Sequence, residues 1–346
     1  MVDKNTDFFK YVDNFAKTTN IPSIPIIKSK LDFVPKVTIA IPTFKRAALL
    51  KEAIDSAINQ TDYIEYDIIV VDNNPERKCE TERLLSSYNN PRISYYKNAE
   101  NIQMAGNWNR LFTLAIGEYI VMLHDDDFIY PDFLVSLDKI INNCKEKFDA
   151  FYPPYLTYNM KIRNQEPQRK ENSRFWGMQL KIEDFLWGNV VGPPLGICIR
   201  RLAILDIGGF DNNHYPSIDY DFYIKFTSKY KACKIFGHPL SLYRILENES
   251  CKTETLLNFV TNDVEIKKKI LSLNNNKIKN KIWEKYINVF NYKYLSNGIK
   301  IFKNNSINIK SQSSVILFKY NIIDITIYHI MNVYRNLNFR KRKFKL

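Results

Sequence analysis

A chain of 346 residues with 45% hydrophobic and 14% aromatic content can bury a large core, which excludes a disordered or fibrous protein and suggests one sizeable domain plus an appendage. Five scattered cysteines (Cys79, Cys144, Cys198, Cys233, Cys251), never spaced C-x-x-C, argue against a disulfide framework or a zinc knuckle and fit a reducing cytosol. The net charge of +13 belongs to the tail, where residues 252–346 hold 19 Lys and Arg against five Asp and Glu.

At the N-terminus, Asp3, Lys4, Asp7, Lys10 and Asp13 interrupt any apolar run, so no signal peptide is expected. Phe8, Tyr11, Val12 and Phe15 suggest a short amphipathic helix, followed by a linker at Pro22 and Pro25. Strand and helix signals then alternate, as in an α/β domain with a largely parallel sheet. A buried strand is expected over 37–41, a loop over 42–46, and a helix carrying Leu49, Leu50, Ala53, Ile54, Ala57 and Ile58. A second strand over 67–71 ends at Asp72-Asn73-Asn74-Pro75, and a helix covers 78–87. A strand over 93–96, a helix marked by Trp108, Leu111, Phe112 and Ala115, and a strand over 119–123 follow. Phe133, Leu134, Leu137, Ile140, Ile141 and Cys144 define one face of the next helix.

This layout brings the loops with Thr43, Asp72 and Asp125 to Asp127 to the carboxyl ends of their strands, the edge where open parallel sheets bind ligands. His124-Asp125-Asp126-Asp127 is the most telling run. Three carboxylates so close repel one another unless a cation sits among them, which predicts a divalent metal site; a solvated acidic loop is the competing reading. No G-x-G-x-x-G and no G-x-x-x-x-G-K-[ST] occurs, so a nucleotide here is held by side chains and a metal instead of a glycine-rich helix start.

Several motifs stand in a telling order: Val37 through Arg46, Ile69-Val70-Val71-Asp72-Asn73, Gly106-Asn107-Trp108-Asn109, and Gly117-Glu118-Tyr119-Ile120 leading into the aspartates. Ile207-Gly208-Gly209-Phe210-Asp211 and Asp219-Tyr220-Asp221-Phe222 come later. Together, over about residues 35–250, they resemble the inverting family 2 glycosyltransferases of the A-type (GT-A) fold. The resemblance implies a GT-A domain over 35–250, an N-terminal extension and linker over 1–34, and a basic, mainly helical region over 251–346.

Residue by residue, the resemblance implies that Pro42, Thr43 and Arg46 lie against the nucleotide base and that Asp72 accepts from a uracil ring nitrogen; a strand-end turn is the alternative for Asp72. Asn107 and Asn109 either position loops or donor hydroxyls, or cap a helix. His124-Asp125-Asp126 aligns with the family's D-x-D element, with histidine in the first place. That match implies metal coordination by Asp126, a ribose or metal-water contact for Asp125 and a supporting contact at the metal for Asp127. Oxygen ligands suit Mn²⁺ or Mg²⁺. His124 is either a ligand or a histidine satisfied by hydrogen bonds.

Asp219 matches the family's general base, though it could also N-cap a helix through Phe222; Ile218 precedes it where the family often has a polar group. Asp221 is an acceptor-side or supporting candidate, or an exposed helix residue. Trp187 is either an aromatic platform for a sugar or core, and Gly209 lies in a turn beside the acceptor. Tyr243-Arg244-Ile245-Leu246 resembles a Y-R-x-H ending with Leu246 replacing the histidine; His238 or Arg244 could compensate.

The function so implied is metal-dependent, inverting hexosyl transfer from a nucleotide sugar, with UDP-sugar favoured, to a glycan or polyprenyl-diphosphate-linked acceptor in surface polysaccharide (O-antigen, capsule or lipooligosaccharide) synthesis. The alternative is a catalytically silent domain that binds nucleotide sugar or glycan. The apolar segment 314–331 carries Lys319, Asn321, Asp324 and His329 and makes a poor membrane span. From residue 255 onward, helices over 259–270 and 282–302 interleave aromatic residues with lysines, which suits a peripheral place on the anionic cytoplasmic membrane surface or an ordinary helical cap. The tail carries no nucleic-acid motif, so a nucleic-acid partner is not expected.

Overall fold

The computed structural model describes residues 10–159, 167–169, 174–245, 253–301 and 320–346. Its first half contains β1 (Ser23–Ile27), β2 (Val37–Thr43), α1 (Ala47–Ile58), β3 (Tyr66–Asp72), α2 (Glu80–Ser87), β4 (Ile93–Asn98), α3 (Gln103–Leu114) and β5 (Tyr119–Met122). β4, β3, β2 and β5 lie side by side and parallel. Every residue of β2 and β3 is buried, as expected for strands covered on both faces. β3 and β4 build outward on one side of β2 and β5 sits on the other, so the winding reverses at the β2/β5 pair. A crevice opens at the carboxyl ends of strands where the winding reverses.

The second half adds β6 (Phe128–Ile129), α4 (Phe133–Asn143), β7 (Ala150–Tyr152), β8 (Tyr155–Asn159), β9 (Trp176–Gln179), β10 (Cys198–Arg200), α5 (Arg201–Asp206), α6 (Ile218–Lys229), β11 (Ala232–Phe236) and β12 (Ser241–Ile245). Helices α7 (Thr253–Ser272), α8 (Lys277–Ile301) and α9 (Ile322–Arg342) and the short β13 (Phe344–Lys345) complete it. β10 joins antiparallel to β5, and the sheet runs on through β7, β11, β9 and β13 to ten strands. A three-stranded sheet, β6-β12-β8, stands beside it. One apolar core fills the face under α3, α6 and α8, and a second fills the face under α1 and α4.

Several boundaries differ from expectation. β2 runs through Thr43, so Pro42 and Thr43 are strand residues and not loop residues. Pro25 lies inside β1, which pairs antiparallel with β4; an edge strand tolerates a residue without an N–H, so the expected linker is a strand. Of the expected N-terminal helix, Phe8 lies outside the described residues, and Tyr11 and Phe15 pack on the core from non-helical chain before a 3-10 turn at Ala16–Thr18. The basic end returns to the body: Arg342 donates to Asp184 at 2.6 and 2.8 Å, Lys343 lies over the Phe236 ring, and β13 pairs with β9. Among the described residues no helix is long and apolar enough to cross a membrane.

Candidate active site

A cavity of 480 Å³ opens at the carboxyl ends of β2 and β5 and extends to the start of α6 and to α7. Of the expected residues, Pro42, Thr43, Arg46, Asn107, Asp125, Asp126 and Asp219 all line it, as do His124, Trp108 and Ile218. Segments far apart in the chain therefore converge on one hollow.

The acidic loop is held from several sides. Thr43 Oγ1 donates to Asp125 Oδ2 at 2.7 Å, and Arg46 Nη1 donates to Asp126 Oδ2 at 2.8 Å while standing 3.6 Å from Asp125 Oδ1. Asp127 is fully buried; one oxygen accepts from the Arg244 backbone N–H at 2.7 Å and the other lies 3.2 Å from His124 Nδ1. Arg244 also donates through Nε to the Asp126 carbonyl and reaches Glu52, so it braces the loop. Burial, then the neighbouring Asp126 charge, pushes Asp125 up to about 6 against the pull of Thr43 and Arg46. Burial likewise raises Asp127 against His124. Burial alone would lower His124, but the surrounding carboxylates, Asp127 foremost, raise it.

These residues fit a divalent cation. His124, Asp126 and Asp127 each offer one ligand atom, all within 4.8 Å of one another. His124 Nε2 is buried without a hydrogen-bond partner among the described residues, while its Nδ1 is turned to Asp127. A carboxylate behind the other ring nitrogen is the usual support of a metal-binding histidine. The ring itself stacks on Trp108, with centroids 5.8 Å apart.

Asp219 occupies the first turn of α6, following Ser217, and so is not the residue that caps the helix. Its Oδ1 accepts from the Tyr220 N–H at 2.8 Å and its Oδ2 from Asn189 Nδ2 at 2.9 Å. Burial pushes this carboxyl up to about 6, with those donors pulling the other way. Asn189, two residues beyond Trp187, was not singled out by sequence; its side-chain oxygen accepts from the Val191 and Gly192 N–H groups and fixes the loop.

Of the remaining expected residues, Asp72, Asn109, Gly209, Asp221 and Trp187 lie away from the cavity. Asp72 has no exposure: Oδ2 takes Lys97 Nζ at 2.6 Å and Tyr95 OH at 3.0 Å, and Oδ1 takes the Asn74 N–H at 2.9 Å, so it belongs to a buried ion pair. Asn107 and Asn109 are mid-helix, not caps. Asn107 accepts from Asn98 and donates to the Val71 carbonyl, tying α3 to the sheet. Asn109 holds both the N–H and the carbonyl of Phe210 at 2.8 Å. Gly209 packs against it: at φ 71°, a Cβ here would come 2.4 Å from Asn109 Oδ1. Asp221 is buried and paired with Lys225 at 2.8 Å and His214 at 3.2 Å, so it is neither exposed nor in the cavity. Trp187 is core, packed on Trp283 and Tyr286 with centroids 4.4 and 5.0 Å away. His238 packs on Phe175 near Asp132, a structural role, and Leu246 lies outside the described residues.

Comparison with known proteins gives a consistent result. The family described as Glycosyl transferase family 2 matches residues 38–206. An uncharacterised glycosyltransferase of Rickettsia typhi is 30% identical over 226 residues, which span 65% of this chain and 68% of that protein. The crystal structure of S. aureus TarS in complex with UDP-GlcNAc is similar with a TM-score of 0.52 at 13% identity, over 85% of this chain and 78% of that one. A mannosyltransferase from Pyrobaculum calidifontis in complex with GDP-Man and Mn²⁺ gives 0.50 at 14% identity, over 93% and 90%. The fold is GT-A, with a helical C-terminal region.

Proposed function

The chain belongs to glycosyl transferase family 2, and from that premise we propose that it is a metal-dependent, inverting hexosyltransferase that uses a nucleoside-diphosphate sugar and a glycan or polyprenyl-diphosphate-linked acceptor. The observation that carries this reading is the cavity shared by Asp219 and the Asp125-Asp126 loop. Residues 35–250 form the catalytic unit in this reading, with 1–34 as an N-terminal extension and 251–346 as a basic C-terminal region.

A divalent cation held by His124 Nε2 and Asp126, with Asp127 behind the histidine, would supply positive charge to the leaving diphosphate. Arg46 adds a guanidinium at the same place. Asp219 takes the proton of the acceptor hydroxyl as that oxygen bonds to the sugar's anomeric carbon and the bond to the diphosphate breaks. The configuration inverts in this single displacement. A carboxylate raised toward neutrality is a better base than a solvated one, and it is still ionised at pH 7. A UDP-sugar is the first donor to test, since a protein of this fold binds UDP-GlcNAc.

The test is a panel of nucleotide sugars with and without Mn²⁺, with the product's anomeric configuration read by NMR. Metal-dependent turnover of one donor with inversion supports the reading. Retention of configuration, or turnover indifferent to chelator, overturns it.

A further inference from the structure

Helix α9 has two unlike faces. The inner one is bolted down: Asp324 accepts from Lys285 at 2.9 Å, Tyr328 stacks on Tyr286 at 5.1 Å, and Arg342 grips Asp184. On the opposite side, at helical spacing, Ile322, Ile323, Ile330, Val333 and Leu337 are each 52 to 79% exposed. No charged side chain breaks this outer row, because Asp324 and Arg335 turn inward. The row ends at exposed Arg340 and Lys341. An apolar stripe of this kind on a firmly held helix marks an interaction surface.

We propose that this outer face of α9 docks on an anionic lipid bilayer, with the helix lying in the plane of the interface. Ile330, Val333 and Leu337 enter the acyl boundary, and Arg340 and Lys341 meet the headgroups. Charge selects this occupant: residues 252–346 carry 19 Lys and Arg against five Asp and Glu, so an anionic surface attracts the region and a second copy of it is repelled. Area agrees. At about 30 Å long and roughly 10 Å wide, two facing stripes bury about 600 Å², short of the ~1,200 Å² of a stable protein interface.

Cosedimentation of the full chain with vesicles tests the proposal. The wild type should pellet with phosphatidylcholine vesicles containing phosphatidylglycerol and stay in solution with phosphatidylcholine alone. Ile330→Glu with Leu337→Glu should cut the bound fraction at least about tenfold, and Arg340→Glu with Lys341→Glu should remove the preference for the anionic lipid. These positions are exposed, and unchanged circular dichroism and donor hydrolysis show that the variants fold. Wild type remaining in the supernatant at low salt, or variants binding like wild type, overturns the proposal. So does a dimer, by sedimentation equilibrium, that Leu337→Glu dissociates. Vesicle binding needs no turnover, so its failure leaves the catalytic reading standing.

Discussion

Asn189 Nδ2 donates to Asp219 Oδ2 across 2.9 Å, so the proposed base is aimed from a loop as well as from its own helix. This contact favours the carboxylate over the acid, in opposition to the burial that raises Asp219 to about 6. The active form of a base is the deprotonated one, so kcat/KM should fall as pH drops through about 6. In Asn189→Leu the lost donor raises the Asp219 pKa further. The acid limb of the pH profile then moves to higher pH, while the rate on the alkaline plateau drops by roughly tenfold or less. An unmoved limb in Asn189→Leu removes that contact from the mechanism.

Asp127 stands behind His124 Nδ1, and its other oxygen is taken by the Arg244 backbone. Asp127→Asn should therefore weaken Mn²⁺ binding by about 10- to 100-fold without abolishing it, and His124→Ala should weaken it at least as much. An imidazole among carboxylates also suits Mn²⁺ better than Mg²⁺, so His124→Ala should narrow the preference between them. Calorimetry with each metal measures both effects. Equal affinity in wild type and His124→Ala would take the histidine out of the metal site.

The Lys97 and Asp72 side chains form an ion pair at 2.6 Å with 1% and 0% exposure. Lys97→Met leaves an uncompensated carboxylate in the core and should cost about 3–5 kcal/mol in urea unfolding. Asp72→Asn combined with Lys97→Met should recover much of that loss. Donor affinity should follow the folded fraction in both of these variants and in Asp72→Asn alone. A selective loss of donor binding in Asp72→Asn, with stability intact, would return Asp72 to the nucleotide base.

The parallel sheet was legible because buried strands read as unbroken apolar runs, as 37–41 and 67–71 do. The acidic loop was legible for a simpler reason: its residues are consecutive. Tertiary partners were not. Only the resemblance assigns Asp72 to the nucleotide base, and nothing local reveals that the β3–β4 register sets Lys97 beside it. Asn189 and Asp219 belong to different elements, and only packing of the loop against α6 joins them. Trp187 was ambiguous until α8 supplied Trp283 and Tyr286 around it. Pro25 suggested a linker, since an edge strand and a linker tolerate proline equally well.

The most direct measurement compares donor binding and transfer in Asp219→Asn, an isosteric change that keeps the side chain's shape and removes its basicity. Donor affinity in the presence of Mn²⁺ should stay within about threefold of wild type, while kcat falls by a factor on the order of 10² to 10⁴. Transfer at near wild-type rates by this variant would contradict the account at its centre.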